Sequence, residues 1–183
     1  WGNRPGLEID YATRRARGVP VHTFAALTMA DINGDGDDEV IAGASNGKVY
    51  ALSSTGEKLW DYETGGAVNT VAAVDLAGDA KLSVIAGSDG GAVTALDAQG
   101  KELWTYTVGY YHQAPHVRTV FGAKGKDGKQ IVIVGADSWR YYALDAAGEL
   151  LWTYESVRAS TIGTAADVNG DGEDEVVAGT EYY

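Results

Sequence analysis

From about residue 20 onward, short apolar runs alternate with glycine-containing turns. Phe24 to Ile32, Glu39 to Ala44, Lys48 to Ser53 and Lys58 to Tyr62 each read as a strand, being short, largely apolar and bounded by polar or glycine punctuation. Asn46-Gly47 between the second and third runs is the strongest short-range signal for a tight hairpin, and Thr55-Gly56 turns the chain into the fourth. No segment carries apolar residues at a 3.6-residue spacing for long enough to predict a helix.

The same four-strand pattern returns. Ala51 to Tyr62 recurs as Ala95 to Tyr106 and as Ala143 to Tyr154, with the Ala, Leu, Gly, Leu, Trp and Tyr of the segment identical in all three copies. Val40-Ile41-Ala42-Gly43 returns at Val84, Val132 and Val176, at spacings of 44, 48 and 44 residues. A four-stranded antiparallel unit of about 45 residues, repeated, predicts an all-β fold: a β-propeller of four-stranded blades, about four of them in this chain. The segmentation is a strand remnant and irregular N-terminal excursion over 1–19, blades over 20–65, 66–109 and 110–156, and an incomplete blade over 157–183. One such sheet cannot bury both faces, so blades must stack. Trp60, Trp104 and Trp152, together with the preceding leucines and the Val-Ile-Ala-Gly strand, are expected to supply that packing. The small residues ending that strand let the next blade approach closely.

Two resemblances follow from these residues. Ala-Leu-Asp-x-x-Gly-x-x-Leu-Trp resembles the propeller repeat of pyrroloquinoline-quinone-type proteins and their non-enzymatic relatives. Asp31-Ile32-Asn33-Gly34-Asp35-Gly36, followed by a Glu-Val-x-x-Gly strand, resembles the calcium loop of integrin-type FG-GAP repeats. The ends suggest a piece of a longer polypeptide: Trp1 fits the fourth-strand Trp of a preceding blade, and Tyr182-Tyr183 fit Tyr141-Tyr142. Part of a larger ring is the favoured expectation, with a four-bladed ring lacking one strand as the alternative.

Charge narrows the partners. With 26 acidic against 14 basic residues, the formal net charge is −12, which repels phosphate backbones and excludes nucleic acid as a natural partner. No apolar run reaches the roughly 18 residues of a membrane helix, so membrane insertion is not expected. The absence of cysteine removes disulfides, zinc-thiolate sites and thiol nucleophiles.

The sharpest chemistry lies in two acidic loops. Asp31, Asn33 and Asp35 stand at alternate positions of a tight glycine-containing turn, with Asp37 offering its carbonyl and Glu39 following on the next strand. Asp167, Asn169, Asp171, Glu173 and Glu175 repeat the arrangement. Oxygen donors so spaced wrap a hard cation, and the expected one is Ca2+. The intervening repeats lose the set: Asp75, Ala77, Asp79 and Ser83 in one, and Ala123, Gly125, Asp127 and Ile131 in the other. Two sites are expected.

The opposite rim should gather Tyr110, Tyr111 and His112 with Trp139, Arg140, Arg158 and the Arg14-Arg15-Ala16-Arg17 stretch. Aromatic residues beside Arg and His suit a sugar, and the first five named are the candidate ligand-binding residues; packing against further blades or a partner chain is the favoured explanation. The expected function is a calcium-stabilised, non-catalytic propeller segment of a larger extracytoplasmic protein, whether extracellular, on the cell surface or periplasmic. It would act in adhesion, assembly or protein and ligand binding, its partners being the remaining blades or a neighbouring subunit. A glycan-binding or polysaccharide-degrading propeller is the alternative, and a fragment of a quinone-dependent dehydrogenase the third reading.

Overall fold

A computed structural model describes residues 23–181 of the chain. Trp1, the Arg14 to Arg17 stretch, His22 and Tyr182-Tyr183 lie outside the described residues. The first blade comprises β1 (Phe24–Ala30), β2 (Glu39–Ala44), β3 (Lys48–Leu52) and β4 (Lys58–Glu63). The second comprises β5 (Val68–Val74), β6 (Ser83–Ser88), β7 (Ala92–Leu96) and β8 (Glu102–Thr107). The third comprises β9 (Val117–Lys124), β10 (Gln130–Ala136), β11 (Arg140–Asp145) and β12 (Leu150–Glu155). A two-stranded sheet, β13 (Ser160–Ala166) and β14 (Glu175–Thr180), follows. Each sheet is an antiparallel meander in chain order. This is a β-propeller of four-stranded blades, and the strand boundaries agree with the sequence expectation to within two residues.

The first strands of successive blades, β1, β5, β9 and β13, neighbour one another in order. Their approach depends on one glycine per blade. A methyl group on Gly43 would come 2.6 Å from Val68 Cγ1, one on Gly87 2.3 Å from Val117 Cγ1, and one on Gly135 2.6 Å from the Ser160 carbonyl oxygen. The glycine that ends the Val-Ile-Ala-Gly motif is therefore where the next blade's first strand lands, as expected from its size.

The core lies between the sheets. Val84, Ala86 and Leu96 of the second blade pack with Ile41, Val49 and Ala51 of the first, and Trp60 and Tyr62 of β4 close that layer. Val132, Val134, Tyr142 and Leu144 receive Trp104 and Tyr106 of β8 in the same way. One expectation about this layer is corrected. The leucines preceding the tryptophans do not pack between blades: Leu59, Leu103 and Leu151 are each about half exposed (47%, 49% and 52%). The register slips by one residue there, with Ala51 opposite Trp60 but Leu52 opposite Lys58, and the same slip recurs in blades two and three. The extra residue of such a bulge is turned away from the ladder.

Antiparallel meanders place the β1–β2 and β3–β4 type connections on one rim and the β2–β3 turns and inter-blade connections on the other. The two acidic loops thus share one rim, and the aromatic segments share the opposite one.

Candidate functional site

The acidic loop after β1 is built on Asp31. Its Oδ1 accepts the Gly34 N–H at 2.6 Å and its Oδ2 the Gly36 N–H at 2.9 Å. Asn33 Oδ1 accepts from Asp35 N–H at 2.8 Å, and Asp35 Oδ1 from Asp37 N–H at 2.9 Å. Gly34 and Gly36 sit at φ +80° and +93°, a backbone region where a side chain is strained. Glu39, at the start of β2, is buried at 1% exposure and accepts the Ile32 N–H through Oε2 at 3.2 Å.

The loop after β13 repeats these bonds. Asp167 accepts from Gly170 at 2.6 Å and from Gly172 at 2.9 Å, Asn169 from Asp171 at 2.8 Å, and Asp171 from the Glu173 N–H at 2.9 Å. Glu175 takes the Val168 N–H at 3.0 Å and the Asn169 amide at 2.7 Å. The N–H groups of Gly172 and then Gly170 hold the Asp167 carboxyl below the usual carboxylate range.

The second blade separates loop shape from donor set. Asp75 accepts from Gly78 and Ala80 as Asp31 does from Gly34 and Gly36, although Ala77 and Ser83 replace Asn33 and Glu39. Asp-x-x-Gly turn chemistry therefore shapes the loop without the full donor set. In the third blade the connection is instead a single 3-10 turn, Lys126–Gly128. Among the described residues Asp31, Glu39, Asp167 and Glu175 form no ion pair. The loop carboxylates turn toward backbone N–H groups, and among the described residues no three His, Cys, Asp or Glu side chains converge on one point.

On the opposite rim, four of the five predicted ligand-face residues meet. Trp139 and His112 stack with ring centroids 4.7 Å apart at 30°, and Tyr111 meets His112 edge-on at 4.2 Å. The Arg140 guanidinium lies 3.5 Å above the Tyr111 ring, and that of Arg158 lies 5.8 Å from Trp139. Tyr110 stands apart, 75% exposed, its hydroxyl 3.4 Å from the His112 carbonyl. Trp139 takes the turn position held by Gly47 and Gly91 in the other blades. It shares their positive φ, +64° against +82° and +81°, and His112 is also left-handed at +51°. Such outliers in non-glycine residues cost about 1–3 kcal/mol each and concentrate where a side chain is held for a purpose.

Three polar residues missed from sequence, Glu155, Arg118 and Asp137, complete this rim. Glu155, closing β12, accepts from the Tyr111 hydroxyl at 2.7 Å, which pushes the Tyr111 pKa up, and lies 3.9 Å from His112 Nε2. Arg118 grips Asp137 with two bonds of 2.8 and 2.6 Å, a pairing that raises its own pKa. His116 lies 3.6 Å from the same carboxylate. A cleft of about 470 Å³ opens between Gln113, His116, Arg118, Trp139 and Arg158. The available signal was the repeat itself. Arg118 aligns with Asn69, which bonds Asp89 at 2.6 Å as Arg118 bonds Asp137.

Fold and rims together define a β-propeller module with acidic, glycine-containing loops on one side and an aromatic, arginine-bearing surface on the other. The chain belongs to the family of lambda-carrageenase β-propeller domains, which matches it over residues 18–75 and 64–164. No curated protein matches its sequence. Its structure is similar to that of the computationally designed Ika4 protein, with a TM-score of 0.61, 20% identity, and 85% of this chain and 91% of that one covered. It is also similar to the V. cholerae biofilm matrix protein Bap1, with a TM-score of 0.58 and 21% identity over 76% of this chain and 22% of Bap1. BBS1N, solved in complex with ARL6DN, matches at a TM-score of 0.65 and 17% identity over 87% of this chain and 44% of that one. At these identities the likeness concerns the fold, and the chain spans less than half of Bap1 and of BBS1N. No helix among the described residues is long and apolar enough to cross a membrane.

Proposed function

We propose that this chain is a calcium-stabilised, non-catalytic propeller unit that works outside the cytosol in adhesion, assembly or binding of a protein or ligand. Glu39 carries the reading. Its carboxylate is buried, receives the Ile32 N–H, and has no basic partner among the described residues. Burial takes that carboxylate out of water with no side-chain counter-charge described beside it, and a bound cation would fill that role.

The donors present fit calcium. Asp31, Asn33, Asp35 and Glu39 bring side-chain oxygens to one tight loop and Asp37 a carbonyl; Asp167, Asn169, Asp171, Glu173 and Glu175 do the same in the other. The ion would neutralise the carboxylates and tie β1 to β2 and β13 to β14. This is the FG-GAP-type role, placed on blades of the pyrroloquinoline-quinone-type repeat, with blade limits at 20–65, 66–109 and 110–156. Work outside the cytosol is supported by the likeness to a biofilm matrix protein and by the abundance of calcium there. Elemental analysis should find two calcium ions per chain, and a chelator should lower the melting temperature by several degrees. An unchanged melt with no bound calcium rejects the reading.

A second reading, a polysaccharide-binding rim, is favoured by the Trp139–His112 stack flanked by Arg140 and Arg158, and by a family named for a carrageenase. Titration with sulfated galactan oligosaccharides should perturb tryptophan fluorescence in the native chain and not in Trp139→Ala.

A further inference from the structure

The connection between β8 and β9 is nine residues long, 108–116, where the other two inter-blade connections, 64–67 and 156–159, have four each. Its ends are fixed to the second and third blades. The Val108 N–H donates to the Gly91 carbonyl at 2.9 Å, Pro115 lies against Gly91, and the His116 carbonyl accepts the Asp137 N–H at 2.9 Å. Between those ends the main chain is not tied to either blade. Among the described residues, the backbone–backbone hydrogen bonds of 109–115 join Tyr111 and Gln113 to each other and nothing else. The middle of this strap is therefore held down by side chains.

What those side chains cover is one contiguous set on the third blade. Arg140 and Glu155 are cross-strand partners of β11 and β12, and Trp139 immediately precedes Arg140. The His112 imidazole stacks on the Trp139 indole at 4.7 Å and 30°. The Tyr111 hydroxyl donates to Glu155 at 2.7 Å, and the Tyr111 ring lies 3.5 Å from the Arg140 guanidinium. His112 Nε2 stands 3.9 Å from the same Glu155 carboxylate. The dipeptide Tyr111-His112 thus places a flat ring on an indole and a hydroxyl on a carboxylate. Holding it there puts His112 at φ +51°, a left-handed conformation that a residue with a side chain keeps only when its surroundings impose it. A strained segment tied by few side chains opens more readily than the sheets beneath it.

We propose that residues 109–114 form a lid that occupies its own ligand site, and that opening it hands Trp139, Arg140 and Glu155 to one pyranose ring of a polysaccharide. The inference rests on the polysaccharide reading of this rim and names what controls it. The indole takes the apolar face of the sugar ring where the imidazole now lies. Glu155 accepts from a sugar hydroxyl in place of the Tyr111 phenol, and Arg140 donates to a further hydroxyl or an acidic substituent. Gly109 is the pivot: it follows the buried, anchored Val108, and nothing described lies within 4 Å of a methyl group placed on it. Strap and sugar compete for the same groups, so the apparent affinity falls with the fraction of molecules in which the lid is closed.

The test compares the native chain with two rim variants. Tyr111→Phe removes the hydroxyl that reaches Glu155, and His112→Gly uncovers the indole with a residue suited to positive φ. Acrylamide quenching isolates Trp139 as the difference between each chain and its Trp139→Phe counterpart. That contribution should be small in the native chain and larger in both variants. Titrated with sulfated galactan oligosaccharides, both variants should bind more tightly than the native chain, His112→Gly by about threefold. Equal quenching of Trp139 in the three chains would overturn the lid. Binding by the native chain that His112→Gly leaves unchanged or weakens would also overturn it, with the polysaccharide reading left standing. No binding by the native chain or either variant would overturn both.

Discussion

The indole N–H of Trp60 donates to the backbone carbonyl of Ala98 across a blade junction, 38 residues further along the chain. Trp104 and Ala146 repeat the contact. A polar tip satisfied by a turn carbonyl and an aromatic face laid on a glycine make one side chain both glue and register mark.

Replacing Trp104 by Ala should destabilise the chain by about 3 kcal/mol, since it removes a large packed ring and its bond to Ala146. Trp139→Ala should cost under about 1 kcal/mol, because its ring stacks on rim residues outside the core. Urea midpoints of the two variants make the comparison, and equal losses would contradict the junction as described.

Gly87→Ala should cost about 1–3 kcal/mol, the added methyl falling 2.3 Å from Val117 Cγ1. Adding Val117→Ala should recover part of that loss. A double-mutant cycle with no coupling between the two sites would show that the blades do not meet there.

Ala80 is left-handed at φ +66°, at the position of Gly36 and Gly172. Ala80→Gly should therefore stabilise by about 0.5–1 kcal/mol, relief of backbone strain exceeding the entropy of the added glycine. A lower denaturation midpoint would mean that this loop does not keep the Asp75 turn.

Tyr62 of the first blade donates its hydroxyl to Glu102 of the second, and its pKa is pushed up to about 12, first by that bond to a carboxylate and then by burial. Only the neutral phenol donates. The contribution of this contact is present in full below the ordinary tyrosine value near pH 10 and is lost as pH rises through about 12. Ultraviolet titration should show a tyrosine component ionising near pH 12 that Tyr62→Phe lacks, and the stability of that variant should be correspondingly flatter between those pH values.

Strand existence, order and length were legible in the chain because repetition reinforces each local signal. Asn46-Gly47, Asn33-Gly34 and the Val-Ile-Ala-Gly runs state their conformation within a few residues, through turn chemistry and side-chain size. The same locality made the acidic loops readable as turns, since Asp31 and Asp167 accept from glycine N–H groups three and five residues on. The rim opposite was only partly readable. Tyr111, His112, Trp139 and Arg140 announced themselves by type, whereas Glu155 and Arg118 look in sequence like ordinary strand residues.

Where a side chain points across a junction was settled by the tertiary structure. Leu59 and Trp60 are neighbours of similar apolar character, and nothing local says that a register slip sends the leucine outward while the indole crosses to Ala98. Nor does the chain say that Trp139 must adopt a glycine's backbone angle to stack on His112. Hairpin chemistry acts over a few residues and is written where it acts. Contacts between blades join residues about forty positions apart, and their geometry exists only once the sheets have stacked.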